Sequence, residues 1–288
     1  MAATRHNGPD LTGLSVVLPR TPDRASAMVR ELEDCGAAVA LMPLIDFQFP
    51  ADTAALDGAL NALRAGRFAW VVFTSVTTVR AVTHRCAALG IRPGSVVPAD
   101  TRIAAVGAGT RHALEEAGFD VDFMPDSDQS ARGLAASWPD PSGSDPEGGD
   151  LRVLLPQADI ADPSLHDALT ALGWEVRAVT AYCTVDFPAP GMRFTPEVPA
   201  DGLLDASAFR ALAPAGPRAV VLTSPSIALR FATRCSPVPA GTLLVAIGDS
   251  TAAQMRGLHL PLHAVAEHPT PKGIAQALSV AMSTGSKN

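Results

Sequence analysis

Small polar side chains and glycines follow the apolar runs of this chain. Thr74 and Ser75 follow WVVF, and Ser224 and Ser226 follow AVVL. Hydroxyls and the backbone N–H groups of glycines bind anionic groups without adding charge. The other residues placed in this way are Gly107 and Thr110 after RIAAV, Gln157 after RVLLP, and Gly248, Ser250 and Thr251 after LLVAI. Together these positions indicate binding of an anionic ligand.

Each loop also has a simpler structural explanation. A serine or threonine after a strand is most often the N-cap of the next helix. Two matched sets of loops favour the functional interpretation, because two domains could enclose one extended ligand. The motifs GAGT and GDST each lack the third glycine of a dinucleotide-binding fingerprint, and no acidic residue is clearly placed for a ribose. Nucleotide binding is therefore not the first choice.

Tyr182 is the only tyrosine of the chain. A phenol is protonated at neutral pH and can donate a proton to a leaving hydroxyl. Packing of an amphipathic aromatic side chain is the structural alternative. The sequence contains no GxSxG elbow, no P-loop and no recognisable Cys–His pattern, so it predicts no covalent nucleophile.

The composition excludes several classes of protein. The 288 residues are 47% hydrophobic and 18% charged, as expected of a globular protein rather than a disordered one. The net charge of −7 argues against a general nucleic-acid binder. No apolar run approaches the roughly 18 residues that span a bilayer, which predicts no association with a membrane.

The cysteines and the N-terminus indicate the compartment. The four cysteines are far apart and form no CxxC pair, which favours a reducing compartment and predicts no metal site. The first residues, MAATRHNGPDLTG, lack the apolar segment of an export signal. We therefore expect a cytoplasmic protein.

Strand-like and helical patterns alternate from Leu14 to the end of the chain, which predicts α/β structure with parallel sheets. The apolar runs are continuous rather than alternating, as in strands that are covered on both faces. The elements that position the loops are therefore parallel strands with flanking helices. Ligands of such sheets bind beyond the carboxyl ends of the strands.

An internal repeat predicts two similar domains. Three kinds of segment each occur twice: 14–47 and 151–185, 68–82 and 217–232, and 101–138 and 242–278. Two Pro-, Gly- and Ala-rich stretches, 139–150 and 188–216, are interpreted as loop insertions. The stretches 43–50 and 181–188 form a matched pair of short strands. Whether each domain is continuous or mixes segments from both halves is left open by the pattern.

The chain resembles the uroporphyrinogen-III synthase family over nearly its whole length beyond residue 13. The residues that carry the likeness are FTSVTTVRAV, AVGAGTRHALEEAGFDVDFMP, SARGL, AYCTV, LTSPSIALRF, AIGDSTAAQM and EHPTPKGIAQAL. Each motif alone is weak, but their order and spacing are specific.

The resemblance implies two similar parallel-sheet α/β domains joined by a two-stranded β connector. One domain comprises 1–46 plus 188–288, and the other comprises 51–180. The connector strands fall at 43–50 and 181–188. Opening of a hinge between the domains is expected, since the connector is thin.

The resemblance also implies an activity. Members of the family are cyclising hydro-lyases of tetrapyrrole biosynthesis, the route to haem, sirohaem and cobalamin. They convert the linear tetrapyrrole hydroxymethylbilane, an octacarboxylate, to uroporphyrinogen III, with loss of water and inversion of ring D. No metal or organic cofactor is implied. The alternatives are an intracellular two-domain protein that binds an anion without catalysis, or a module of a larger tetrapyrrole system.

The family's residues can be placed on this chain. The family tyrosine falls on Tyr182, where it would assist loss of the hydroxyl without being essential. The family's loop hydroxyls fall on Ser75, Thr110, Ser224 and Thr251. The family often has an arginine at Arg20, which makes it the best candidate cation, ahead of Lys272. The chain departs from the family at Val76, where proline is common. A monomer is implied, with transfer of the bilane from hydroxymethylbilane synthase.

Overall fold

The computed structural model describes residues 8–139, 151–199, 201–212 and 216–285, and this part of the chain divides into two compact units. Unit 1 contains the residues up to Asp46, Asp186–Pro188 and the residues from Glu197 onward. Unit 2 contains Phe47–Val185 and Ala189–Pro196. The domain boundaries expected from the sequence differ in assigning 189–196 to the first domain, and they stay a prediction.

The strands and helices alternate along the chain as the sequence predicts. The strands are β1 (Ser15–Leu18), β2 (Ala38–Leu41), β3 (Ile45–Gln48), β4 (Trp70–Phe73), β5 (Arg102–Ala105), β6 (Arg152–Ala158), β7 (Glu175–Asp186), β8 (Arg218–Leu222), β9 (Thr242–Ala246) and β10 (Ala264–Val265). The helices are α1 (Pro22–Asp34), α2 (Ala54–Arg64), α3 (Val76–Ala88), α4 (Ala108–Glu116), α5 (Ala131–Ala136), α6 (Ser164–Ala171), α7 (Ala206–Arg210), α8 (Pro225–Arg234), α9 (Asp249–Gly257) and α10 (Pro271–Gly285).

Two five-stranded sheets carry the strands. One has the order β10-β9-β8-β1-β2, and its neighbouring strands are parallel. The other has the order β3-β7-β6-β4-β5, in which the pairs β7–β6, β6–β4 and β4–β5 are parallel. The prediction of α/β structure with parallel sheets is confirmed. The order β9-β8-β1-β2 matches β5-β4-β6-β7, so segments that repeat in the sequence occupy equivalent places in the two sheets.

The central strands are buried on both faces because each sheet lies between helices. Every residue of β4 and of β8 is buried, as their continuous apolar runs predict. In unit 1 one core cluster includes Leu32 of α1 and Leu278 of α10, and a second includes Phe231 of α8. In unit 2 a cluster around Trp70 includes Leu134 and Leu169.

A repeated corner leads into α5 in unit 2 and into α10 in unit 1. We call Asp128–Gly133 and His268–Gly273 the capped corners. The N–H of Gly133 donates to Ser130 Oγ at 3.2 Å, and the N–H of Gly273 donates to Thr270 Oγ1 at 3.1 Å. A Cβ on Gly133 would lie 1.9 Å from the carbonyl oxygen of Asp128. A Cβ on Gly273 would lie 2.3 Å from the carbonyl oxygen of His268, so both corners require glycine.

Three segments differ from the sequence interpretation. Strand β6 continues through Gln157, beyond the end that RVLLP suggested. The stretch expected to form the second connector strand is continuous with the strand before it, and together they form the twelve-residue β7. The insertion 188–216 contains helix α7, whose Phe209 is fully buried. Except for Pro139, the other insertion lies outside the described residues.

None of the helices in the described ranges is both long enough and apolar enough to cross a membrane.

Candidate active site

In unit 1 the loops after β1 and β8 lie side by side, because these strands are neighbours in the sheet. Arg20 follows β1, and its Nε donates to Oγ1 of Thr223 at 3.1 Å. Its Nη1 donates to the carbonyl oxygen of Arg24 at 3.0 Å. Burial, and secondarily the nearby charge of Arg24, lowers the pKa of Arg20. The guanidinium is thus held at the carboxyl end of the sheet by a threonine of the neighbouring loop.

Ser224 and Ser226 lie at the start of α8, which follows β8. Ser224 is the N-cap, and its Oγ accepts from the N–H of Ile227 at 3.2 Å. The hydroxyls of Ser224 and Ser226 are 3.0 Å apart. The capping role that the sequence left open is therefore present. Capping does not prevent Ser224 from binding a ligand, because a hydroxyl that accepts a hydrogen bond can still donate one.

Gly248 is the N-cap of α9, the helix that follows β9. Because glycine has no side chain, this helix start has no side-chain cap. The first N–H groups of a helix have no partner within the helix, so this end can receive an anion. Ser250 is exposed in the first turn. Thr251 is only 1% exposed, and its Oγ1 has no hydrogen-bond partner. The Thr251 hydroxyl is therefore enclosed behind the helix start rather than presented on it.

In unit 2 the loop after β4 brings Ser75 to Tyr182. Ser75 is the N-cap of α3, and its Oγ accepts from the N–H of Thr78 at 3.1 Å. The same oxygen lies 2.9 Å from Thr78 Oγ1 and 3.5 Å from the phenol oxygen of Tyr182. Thr74 precedes the cap and is partly buried. Ser75, predicted as a hydroxyl that binds an anionic group, and Tyr182, predicted as a proton donor, are thus neighbours.

A break in strand register sets the position of Tyr182. Gln157 of β6 pairs with Thr180 of β7, but the next residue, Ala158, pairs with Tyr182 rather than with Ala181. Side chains alternate between the faces of a strand, so one extra residue changes which side chain faces a given side. Gln157 belongs to this irregular pairing. The prediction that it follows the strand as a loop residue is wrong, because β6 continues past Pro156.

Gly107 and Thr110 begin α4, which follows β5. Gly107 is the N-cap, and Thr110 is buried in the first turn. The side chain of Gln129 lies over this helix start, where its Oε1 accepts from the N–H of Ala108 at 3.0 Å. A Cβ on Gly107 would lie 3.2 Å from the same oxygen. The start of α4 is therefore covered by the side-chain amide of Gln129, unlike the start of α9.

Burial disfavours the thiolate form of all four cysteines. Burial raises the pKa of Cys86 to about 11 and that of Cys235 to about 11. Burial also raises the pKa of Cys35 and Cys183, with help from nearby carboxylates. A raised pKa favours the thiol over the thiolate, and the thiolate is the reactive form. Across the described ranges no three His, Cys, Asp or Glu side chains are grouped to hold a metal ion.

A sequence profile described as "Uroporphyrinogen-III synthase HemD" matches residues 26–276, which is most of the chain. The chain belongs to the uroporphyrinogen-III synthase family. A uroporphyrinogen-III synthase from Synechococcus elongatus (strain ATCC 33912 / PCC 7942 / FACHB-805) is 28% identical over 195 residues, 67% of this chain. The match spans 66% of that relative's length, just under two thirds.

Solved structures of uroporphyrinogen III synthases share the fold. A mutant enzyme from Thermus thermophilus superposes with a TM-score of 0.59 at 17% identity, and the match covers 94% of this chain and 99% of the other. The enzyme from Helicobacter pylori 26695 gives a TM-score of 0.57 at 16% identity, with the same coverage of both chains. At these identities the likeness concerns the fold alone.

Several side chains around the candidate site were not predicted. Thr78 could have been found, because the N3 position of a helix is where a serine N-cap finds its partner. Gln129 gave no such signal, and neither did Phe194, whose ring centroid lies 6.0 Å from that of Tyr182. Gln129 reaches the helix start of α4 from 21 residues away. Phe194 lies in a stretch interpreted as an insertion.

Proposed function

We propose that this chain is a uroporphyrinogen-III synthase that cyclises hydroxymethylbilane to uroporphyrinogen III, with loss of water and inversion of ring D. The observation that carries the proposal is the family match over residues 26–276. The strand-end loops support it, because hydroxyls, a helix start and one guanidinium suit the carboxylates of a bilane.

The residues have distinct proposed roles. The phenol of Tyr182 donates a proton to the departing hydroxyl of the bilane. Ser75 lies 3.5 Å from the phenol and orients it. Arg20, Ser224 and the start of α9 bind carboxylates in unit 1. The remaining catalysis comes from holding the bilane bent, so that the closing carbons meet.

The test is an isomer assay. Fresh hydroxymethylbilane is supplied to the purified protein, the products are oxidised to porphyrins, and the I and III isomers are separated. The bilane closes without an enzyme to isomer I, so we expect isomer III to form in proportion to protein concentration. Only isomer I, at the rate without protein, would contradict the proposal. That result, together with retained binding, would instead identify an anion-binding protein without catalysis.

Substitution of Arg20 tests the proposed carboxylate-binding site in unit 1. Arg20→Ala is expected to raise KM about fivefold and to leave kcat nearly unchanged, because a hydrogen bond contributes about 1 kcal/mol net, which corresponds to about fivefold in affinity. Initial rates over a range of bilane concentrations measure both constants.

The matched control for Arg20 is Arg132→Ala, since that side chain is 90% exposed. It is expected to change neither constant. An equal rise of KM in both variants would show that the general loss of positive charge matters rather than the site.

We further propose the finer features that the family resemblance implies. The chain is a monomer in the cytoplasm, made of two domains joined by a two-stranded connector, and it receives the bilane from hydroxymethylbilane synthase. The widely spaced cysteines support a reducing compartment. Sedimentation of the purified protein alone tests the monomer, and sedimentation after addition of hydroxymethylbilane synthase tests the complex with that enzyme.

A further inference from the structure

We propose that Phe194 is a positioning residue, which holds the phenol of Tyr182 in its reactive orientation. The inference rests on the proposed function for its kinetic consequence, but its structural part can be tested without any reaction. It concerns the segment Ala189–Pro196, which we call the return segment because the chain returns there to unit 2.

The ring of Tyr182 is held between two phenylalanines. Phe47 of β3 meets it edge to face with ring centroids 5.5 Å apart, and Phe194 meets it in the same manner at 6.0 Å. Tyr182 is 7% exposed and Phe194 3% exposed. Edge-to-face contacts are directional and contribute about 0.5–1.5 kcal/mol beyond burial. Two such contacts resist rotation about χ1, which would displace the phenol oxygen, and about χ2, which would turn the ring plane in which the O–H bond lies.

Phe194 packs against two further aromatic side chains. Its ring lies 5.0 Å from that of Phe49 and 6.3 Å from the imidazole of His84. These neighbours come from the chain just beyond β3 and from α3. The Phe194 ring therefore connects Tyr182 to two other elements of unit 2, although it belongs to no helix or strand.

Backbone hydrogen bonds hold the return segment against the end of β3. The N–H of Phe49 donates to the carbonyl oxygen of Met192 at 2.9 Å, and Gln48 pairs with Arg193. The N–H of Gly191 donates to Gln48 Oε1 at 2.7 Å. A Cβ on Gly191 would lie 2.7 Å from that oxygen, so a larger residue would displace the end of the Gln48 side chain. The segment is attached at the residues immediately before Phe194.

The first experiment uses the fact that Tyr182 is the only tyrosine. Protein labelled with ¹³C in tyrosine gives ring signals from this one residue. In Phe194→Leu we expect the signals to shift toward those of free tyrosine and the ring to flip faster, because one edge-to-face neighbour is gone. Unchanged signals would overturn the proposal, and this holds whether or not the protein forms isomer III.

The second experiment is a double-mutant cycle on kcat. Phe194→Leu is expected to lower kcat about fivefold with little change in KM, because small misplacement of a catalytic group is costly. In a Tyr182→Phe background the same change is expected to have less than about a twofold effect, since there is no phenol left to position. Equal factors in both backgrounds would contradict a role through Tyr182. An unchanged kcat in Phe194→Leu would do so too.

A matched control separates positioning from stability. Phe119 is also 3% exposed in unit 2, and its ring packs on Phe73. Phe119→Leu removes the same atoms and is expected to lower stability without moving the Tyr182 signals or kcat. If Phe119→Leu changed both as much as Phe194→Leu does, the effect of Phe194 would be one of general packing, and the proposal would fail.

Discussion

Tyr182→Phe is expected to lower kcat about tenfold and to leave activity detectable. General acid catalysis typically contributes about 10²–10⁴-fold, but the bilane loses its hydroxyl readily without help, so we expect an effect below that range. Phenylalanine keeps the ring contacts with Phe47 and Phe194 and removes only the hydroxyl near Ser75. The fold should therefore persist. Initial rates on fresh bilane measure the effect.

Tyr182→Leu is the companion variant, because it removes the ring as well. We expect it to lose stability in addition to activity, which Tyr182→Phe should not. Unchanged kinetics in Tyr182→Phe would assign the tyrosine to packing alone. The isomer ratio is a further readout: slower turnover with isomer III still formed would indicate that the phenol assists departure of the hydroxyl and does not control folding of the bilane.

Gly133→Ala is expected to lower the free energy of unfolding of unit 2 by about 2 kcal/mol. The new Cβ would meet the carbonyl oxygen of Asp128 at 1.9 Å, which is backbone and has little freedom to move. Overpacking of this kind costs about 3 kcal/mol, and the better helix propensity of alanine returns about 1 kcal/mol. Gly273→Ala in the other capped corner is expected to behave in the same way in unit 1.

The two corners can be measured separately. The three tryptophans, Trp70, Trp138 and Trp174, all lie in unit 2. Tryptophan fluorescence during urea unfolding therefore reports Gly133→Ala. Circular dichroism follows both units, so a transition that it detects and fluorescence does not reports Gly273→Ala. Gly58→Ala, in the exposed middle of α2, is the control. A Cβ on Gly58 would lie 3.9 Å from its nearest neighbour, the Nη2 of Arg177. Gly58→Ala should therefore raise the free energy of unfolding by up to about 1 kcal/mol. Equal effects of Gly58→Ala and Gly133→Ala would contradict the close approach.

Much of the fold could be predicted because its signals are local. Continuous apolar runs indicated buried strands, and β4 and β8 are buried along their whole length. The internal repeat indicated equivalent elements, and the sheets have matching strand orders. The repeated sequences SARG and TPKG also form equivalent capped corners.

The end of β6 could not be predicted. The sequence analysis placed Gln157 after the apolar run RVLLP, and a proline at the end of such a run is consistent with a strand end because it cannot donate to a ladder. In the structure β6 pairs with β4 only at Val153 and Leu154, so Pro156 lies beyond the last pair on that side. Pairing with β7 continues through Pro156 and Gln157. Whether a proline ends a strand thus depends on which neighbour is present, which is not a local property.

For the candidate site, residues on strand-end loops could be predicted and their surroundings could not. Ser75 and Ser224 were identifiable because strand-loop-helix patterns fix where a capping hydroxyl stands. The contact of Ser75 with Tyr182 joins residues 107 positions apart. The position of Tyr182 further depends on one unpaired residue in β7 and on a phenylalanine from an apparent insertion. None of these leaves a periodic trace in the sequence.

The strand order has a consequence for synthesis of the chain. All of unit 2 has been made once the ribosome has added Pro196. Strand β1 is made first, yet one of its two neighbours, β8, begins only at Arg218. Contacts between such distant segments form late, because the loop they close is long. The nascent polypeptide therefore carries an unfinished N-terminal sheet while its middle portion folds, and one edge of β1 stays unpaired until β8 is made.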